Sequence, residues 1–251
     1  MHRFYLAPEQ FQGPVLTLTG QEAHHASRVL RVKPGDAVVV LNGVGGEFGC
    51  RIQEVNRRSV LLTVQEKRQV PPMPVQIALL QAVPRGRIME DIIQKATELG
   101  VHRLVPLLAE RSAVHLDADG VAAKVAKWRA TAVEAIKQCG LPWLPTIDPP
   151  LSPGEFLARK EPFDLSLLAS LQADSQHPRR VIADFQGRQP QGPKEVAVWI
   201  GPEGDFSPKE IQSIRLAGVL PVTLGSSVLR VETAALYCLS VVHYEFQGRS
   251  K

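Results

Sequence analysis

The stretch EVAVWIGPEGDFSPKE, residues 195–210, indicates the fold class of most of the chain. Its first part is an apolar run without polar alternation, which is typical of a strand buried on both faces of a parallel sheet. A turn containing glycine and proline comes next. Ser207, Pro208 and Glu210 then show the pattern of a helix start, with a capping hydroxyl, proline at the first position and glutamate at the third. A buried strand that leads through a tight turn into a helix is the repeating step of an α/β fold.

The same step recurs on both sides of this stretch. Apolar runs predict strands over residues 75–82, 103–109, 164–171, 195–201 and 222–225. Patterns of helical period predict helices over residues 88–99, 118–139, 208–217 and 233–246. Alternating strands and helices favour a mostly parallel sheet with helices on both faces.

The first 66 residues have a different, mainly β pattern. Strands are predicted over residues 37–42, 46–55 and 59–66, and a short helix over 23–30 follows a capping box of Thr19 and Glu22. Short strands at this spacing indicate a small barrel. The segment KRQVPPMP, residues 67–74, is rich in proline and is predicted to be a linker. We therefore predict two domains, residues 1–70 and 75–251.

Composition restricts the class of protein. The chain has 251 residues, 44% of them hydrophobic, and a net charge of +4, which permits binding to nucleic acid without requiring it. Its three cysteines are far apart and form no CxxC pair, so neither a metal site nor a disulfide framework is expected. Neither a signal peptide nor an apolar run long enough for a membrane span is present. These features predict a cytoplasmic protein without a membrane partner.

Ligands of open α/β sheets bind beyond the carboxyl ends of the strands, and three predicted strand ends are candidates. They lie at residues 168–170, 200–210 and 224–236. Glu203 has no evident structural role in its turn, although that turn is equally compatible with an ordinary connection. Glu232 and Arg230 suit the start of the last helix, either as functional groups or as a dipole partner and a surface ion pair. For Arg111, after the second strand, function and structure are equally compatible.

Six motifs occur in an order that resembles a known family. They are HHASRVLRVKPGD (24–36), KATELGV (95–101), ERS (110–112), EAIKQCG (134–140), IGPEG (200–204) and LGSSVLRVETA (224–234). Over nearly its whole length the chain resembles the RsmE-type 16S rRNA (uracil-N3) methyltransferases of the SPOUT superfamily. The resemblance implies an N-terminal PUA-like β-barrel that binds RNA. It also implies an α/β methyltransferase domain with a C-terminal trefoil knot, which binds S-adenosylmethionine and forms a homodimer.

The resemblance also assigns residues. It places the cofactor at Leu168, Ala169, Ile200, Gly201, Glu203, Gly204, Leu224, Gly225, Ser227, Leu229, Arg230, Thr233 and Ala234. For contacts with 16S rRNA or the small ribosomal subunit we predict Arg28, Arg31, Lys33, Arg57, Arg58 and Arg111. The chain departs from the family pattern at Leu141, Asp205, Ser226, Ser227 and Val231. These departures remove basic groups near the site and leave the cofactor loops recognisable.

Methylation of uridine N3 requires that the N3 proton be removed. Glu232 or Glu203 is the candidate base, and Arg230 is the candidate stabiliser of the charge that spreads to the uracil oxygens. In an alternative mechanism the enzyme selects uridine that is already deprotonated and needs no base of its own. Two other functions remain open, a SPOUT methyltransferase that acts on another RNA and a non-catalytic RNA-binding or ribosome-assembly factor. A nicotinamide-dependent enzyme is disfavoured because the glycine fingerprint is missing.

Overall fold

A computed structural model describes residues 1–11, 13–112 and 118–247. The chain divides into two compact units, each with its own sheet. The first comprises Met1–Pro72 and Val133–Leu144, and the second comprises Met73–Ala132 and Pro145–Lys251. None of the helices in the described ranges is both long enough and apolar enough to cross a membrane.

The first unit contains a five-stranded sheet that curls into a half-barrel. Its strands are β1 (His2–Tyr5), β2 (Val15–Thr19), β3 (Ala37–Leu41), β4 (Gly46–Val55) and β5 (Ser59–Gln69), in the order β1-β3-β4-β5-β2. The three predicted strands are confirmed as β3, β4 and β5. The edge strands β1 and β2 were not predicted, because each has only four or five residues and so short an alternation of apolar and polar residues also occurs in loops.

Two local predictions for this unit were wrong. Thr19 precedes helix α1 (Gly20–His24), but its side chain makes no capping hydrogen bond with the described residues. Glu22 instead accepts hydrogen bonds from the Tyr5 N–H and from Lys137 Nζ, so a distant partner replaces the capping box. The predicted linker is also shorter, since Lys67 to Gln69 still pair with β4 and only residues 70–75 separate the two sheets.

The second unit is built on a six-stranded sheet. Its strands are β6 (Gln76–Ala82), β7 (Arg103–Leu107), β8 (Thr146–Ile147), β9 (Leu165–Ala169), β10 (Glu195–Ile200) and β11 (Leu220–Val222), in the order β11-β9-β10-β6-β7-β8. Every pairing in this order is parallel, as predicted. Residues Val196 to Ile200 of β10 are all buried, which explains their uninterrupted apolar sequence.

Helices connect these strands. They are α2 (Ile88–Glu98), α3 (Ala118–Cys139), α4 (Pro153–Ala158), α5 (Pro178–Arg188), α6 (Pro208–Leu216) and α7 (Val231–Phe246). The predicted capping box of α6 is confirmed: Ser207 Oγ accepts from the Glu210 N–H, and Glu210 Oε2 accepts from the Ser207 N–H. Three elements were not predicted, namely β8, α4 and α5. Several predicted bounds differ from the structure by one to three residues. For example, β11 spans Leu220–Val222 and not residues 222–225, and α7 begins at Val231 and not at residue 233.

An ion-pair network holds the edge of the sheet opposite to the strand carboxyl ends. Arg103, at the start of β7, pairs with Asp148 at 2.7 Å and also with Glu161, and Arg159 approaches Asp148 to 3.0 Å. Burial alone would raise the pKa of Asp148, but the hydrogen bonds and charges of the two arginines outweigh burial and hold its pKa below the ordinary value. Asp148 therefore stabilises the fold as a carboxylate.

We predict that Asp148→Asn lowers the free energy of unfolding at pH 7 by about 1–3 kcal/mol, because one buried partner of Arg103 loses its charge. The folded-state pKa of Asp148 is depressed, so this contribution is present above the unfolded-state pKa of about 4 and is lost as the pH falls through the folded-state value. Urea denaturation of both proteins at several pH values measures the difference. Asp174→Asn, which breaks the exposed pair with Arg215, is the control and should change stability little. A difference that persisted unchanged at pH 3 would contradict the assignment.

Candidate functional site

Three loops at the carboxyl edge of the parallel sheet border one cleft with a cavity volume of about 100 Å³. One loop follows β9, the second joins β10 to α6, and the third joins β11 to α7. The cleft is lined by Ala169, Ser170, Leu171, Ile200, Gly201, Pro202, Glu203, Asp205, Leu224, Gly225, Ser227, Val228, Leu229 and Ala234. The three candidate strand ends therefore meet at one place.

Most residues that the resemblance assigned to the cofactor line this cleft, and four lie elsewhere. Leu168 is buried within β9, with 1% of its surface exposed. Gly204 borders Arg111, Arg230 precedes α7 as its N-cap residue, and Thr233 lies on another face of α7, in a groove shared with α5. The cleft brings the other nine residues together.

Five lining residues were not among the predicted set, namely Ser170, Leu171, Pro202, Asp205 and Val228. Leu171 and Val228 are apolar loop residues with 64% and 78% of their surface exposed. Large exposed apolar side chains indicate a ligand surface. Only Val228 could be recognised as a loop residue from the sequence, because Leu171 lay at the end of a predicted strand.

The chemistry of the cleft fits S-adenosylmethionine. Exposed apolar side chains offer contact area to a nucleoside. The carboxylates of Glu203 and Asp205 offer negative charge to a sulfonium cation. At Gly201 a Cβ atom would lie 3.1 Å from Asp205 Oδ1 and 3.3 Å from the Phe206 ring, so only glycine lets the chain pass there without displacing its neighbours.

Asp205 occupies a position where the family pattern has glycine, and its backbone keeps a conformation that suits glycine. Its φ angle is +59°, in the left-handed region that aspartate tolerates better than most residues. Its Oδ1 accepts a hydrogen bond of 2.8 Å from the Phe206 N–H. Asp205 therefore fits the left-handed backbone of the turn, and its carboxylate lines the cleft.

The loop after β10 is held by two neighbouring loops. Glu203 Oε1 accepts a hydrogen bond of 3.2 Å from the Arg85 N–H, in the loop after β6. The guanidinium of Arg111, in the loop after β7, donates a hydrogen bond of 3.0 Å to the Gly204 carbonyl. Arg111 was predicted to contact RNA, and the contact that it makes here is with the cleft loop.

The start of α7 carries the other candidate groups. Arg230 is exposed, and Glu232 is half-buried in the first turn of the helix. Glu232 Oε2 is buried and has no hydrogen-bond partner among the described residues. An unpartnered buried carboxylate oxygen is costly, so it marks a place where a proton or a ligand donor would be stabilising.

The predicted RNA-binding residues of the first unit are accessible. Arg28, Arg31, Lys33, Arg57 and Arg58 are all exposed. Within the described ranges none of them forms an ion pair with a carboxylate. Their charges are therefore available to a polyanion.

A family model described as "RNA methyltransferase domain" matches residues 71–243. The chain belongs to this family. A second model, described as "RNA methyltransferase PUA domain", matches residues 18–65. These two matches fall on the second and the first sheet, respectively, so the half-barrel is the PUA-type part of the family member.

Named relatives align with almost the whole length of this chain. It is 30% identical to ribosomal RNA small subunit methyltransferase E of Bacillus subtilis, over 98% of this chain and 97% of that protein. It is 32% identical to the Synechocystis protein of the same name, over 96% of this chain and 77% of that protein. Among solved structures, it resembles ribosomal RNA small subunit methyltransferase E from Neisseria gonorrhoeae bound to S-adenosyl methionine. The TM-score is 0.86, with 27% identity and full coverage of both chains.

We predict that Gly225→Ala raises the Kd of the protein for S-adenosylmethionine by about tenfold or more. The φ angle of Gly225 is +113°, so alanine would strain the backbone of the cleft loop and shift it. Isothermal titration calorimetry measures the affinity.

Gly218→Ala is the matched control for this prediction. Gly218 has φ +87° and, like Gly225, no described atom within 4 Å of the position that a Cβ would occupy, but it lies outside the cleft at the end of α6. Both variants should lose a similar stability of about 1–3 kcal/mol. Equal cofactor affinity in the two variants would contradict the assignment of the Gly225 loop.

Proposed function

We propose that the protein transfers the methyl group of S-adenosylmethionine to N3 of a specific uridine in 16S rRNA of the small ribosomal subunit. The observation that carries the proposal is the convergence of three loops, IGPEG and LGSSVLRVETA among them, on one cleft at the carboxyl edge of a parallel sheet. Relatives that share nearly the whole length of the chain are named for this kind of activity.

The cleft offers both apolar and charged groups to the proposed ligand. The nine residues predicted from the resemblance, together with Leu171 and Val228, form its walls. When bound, S-adenosylmethionine supplies a methyl group on a positively charged sulfur. The carboxylates of Glu203 and Asp205 favour that charge, and Leu171 and Val228 offer apolar contact area to the nucleoside.

Glu232 is the base that we favour for the N3 proton of uridine. Its Oε2 is buried and unpartnered among the described residues, so it is free to accept a proton. Glu203, the other candidate base, already accepts a hydrogen bond from the Arg85 N–H. The exposed guanidinium of Arg230, two residues before Glu232, is the group that we assign to the uracil oxygens as they gain negative charge.

The N-terminal domain, residues 1–70, is proposed to bind the RNA. The exposed side chains that would neutralise phosphates are Arg28, Arg31, Lys33, Arg57 and Arg58. We propose residues 75–251 as the methyltransferase domain, with the trefoil knot that the family resemblance implies. An enzyme that modifies ribosomal RNA works where ribosomes assemble, and we therefore propose the cytoplasm as its location.

We propose a second copy of this chain as a partner, bound to the groove between α5 and α7. The groove includes Thr233, Tyr237, Ser240 and Tyr244, which recur along one face of α7. Tyr244 exposes 81% of its surface and Tyr237 exposes 40%. Aromatic side chains are enriched at protein interfaces, and a C2 dimer is the commonest oligomer.

We predict that Tyr244→Glu converts the dimer into a monomer, because a charge would be buried without a partner in the interface. Sedimentation velocity at micromolar concentration measures the mass. Leu216→Glu is the matched control, since Leu216 on α6 is also 81% exposed but lies outside the groove. A wild-type protein that sediments as a monomer would refute the dimer.

The proposed reaction is tested by mapping methylated uridines in 16S rRNA from cells with and without the gene, using mass spectrometry. We expect one N3-methyluridine to disappear and to return when the wild-type gene is supplied. Glu232→Gln should bind S-adenosylmethionine normally and should lower kcat by about 100-fold or more, because the base is lost. If this variant kept full activity, Glu232 would not be the base. If the purified protein bound no S-adenosylmethionine, a non-catalytic role in ribosome assembly would replace the proposal.

A further inference from the structure

We propose that the loop between β6 and α2, residues 83–87, binds phosphates of the RNA strand next to the target uridine through Arg85 and Arg87. We also propose that Glu203 is the positioning residue that fixes this loop. The inference rests on the proposed function of the cleft, and it assigns a role to residues that neither the motifs nor the family resemblance singled out.

The sheet topology places this loop beside the cleft. β6 and β10 are parallel neighbours, and Gln81 of β6 lies opposite Ile200 of β10. Both strands therefore end at the same edge, and the loop after β6 adjoins the loop after β10. Within the loop, Val83 and Pro84 are buried whereas Arg85, Gly86 and Arg87 are exposed.

Hydrogen bonds fix the loop at both of its sides. The Val83 N–H donates to the Leu107 carbonyl of β7 at 2.9 Å. The Arg85 N–H donates to Glu203 Oε1 at 3.2 Å. Gly86 has φ +67°, a left-handed turn that glycine adopts without strain. The backbone of the loop is therefore fixed next to the cleft, and the side chains of Arg85 and Arg87 are exposed.

The charges of this loop are uncompensated. In the described part of the chain, neither Arg85 nor Arg87 forms an ion pair, and nearby Glu90 is already paired with Lys127 at 2.9 Å. Arg85 and Arg87 in the loop after β6, and Arg111 in the loop after β7, which donates to the Gly204 carbonyl, are here called the basic rim. The planar guanidinium matches phosphate oxygens in a bidentate manner, so the charge and the donors both suit an RNA backbone.

Glu203 connects the basic rim to the cleft. Its carboxylate lines the cleft, while its Oε1 accepts the main-chain hydrogen bond that fixes Arg85. This hydrogen bond requires a side-chain oxygen that accepts it, but it does not require a group that takes up a proton. Glutamine can therefore keep the bond, whereas alanine cannot. The positioning role and the role of a base therefore predict different outcomes for the same substitutions.

The first test is the double variant Arg85→Ala/Arg87→Ala, with affinity for an unmodified 16S rRNA transcript measured at several salt concentrations. The slope of log affinity against log salt should become shallower by about 0.7 for each lost phosphate contact. The KM for small subunits should rise at least about fivefold, with kcat and S-adenosylmethionine affinity nearly unchanged.

Arg188→Ala is the matched control for the double variant. Arg188 is an exposed arginine at the end of α5, which leads to the start of β10 at the opposite edge of the sheet. It should leave the salt slope and the KM unchanged. An unchanged slope in the double variant, or an equal loss in Arg188→Ala, would overturn the inference. Because RNA affinity is measured without methyl transfer, a result that contradicts this inference can be distinguished from a result that contradicts the proposed reaction.

The second test compares two substitutions of Glu203. Glu203→Ala should raise the KM for small subunits several-fold, and Glu203→Gln should restore most of that loss, because its side-chain oxygen can still accept from the Arg85 N–H. Both variants are measured at saturating S-adenosylmethionine, because they also remove a carboxylate from the cofactor cleft. A KM for small subunits that stayed equally raised in Glu203→Gln, or that was unchanged in Glu203→Ala, would refute the positioning role.

Discussion

Parallel pairing of β10 with β9 on one side and β6 on the other is the constraint on which the site depends. Because these strands run in the same direction, the chain leaves each of them at the same edge of the sheet. The strands are buried and fully paired, so their ends are rigid, and the loops that follow inherit fixed starting points. Residues more than a hundred positions apart in sequence thus become neighbours.

Three hydrogen bonds from neighbouring loops hold the loop after β10 and the first turn of α6. Glu203 accepts from the main chain after β6, the Gly204 carbonyl accepts from the side chain of Arg111, and Glu210 Oε1 accepts from the Glu110 N–H. Each contact alone is modest, at about 1 kcal/mol. Together they order a loop whose first part lies against the ligand cleft, which lowers the entropy lost when a ligand binds.

The sequence was sufficient to predict the parallel sheet and the convergence of the three strand ends, because buried strands and helix caps are local signals. Ser207 and Glu210 are three residues apart and form the contact that their spacing predicts. For Glu22 the local prediction was wrong. Its carboxylate accepts hydrogen bonds from the Tyr5 N–H and from Lys137 Nζ, and the predicted capping box with Thr19 does not form. The edge strand β2 was missed because five alternating residues resemble many loops. The bond between Glu203 and Arg85 spans 118 positions, and only the tertiary structure brings its two groups together.

Glu203 contacts residue 85 through its main-chain N–H and not through its side chain. Every residue type except proline has that N–H, so the loop keeps its geometry whatever side chain stands at position 85. Under the role that we propose for this loop, substitutions at position 85 would change the charge presented to RNA and would leave the hydrogen bond to Glu203 in place.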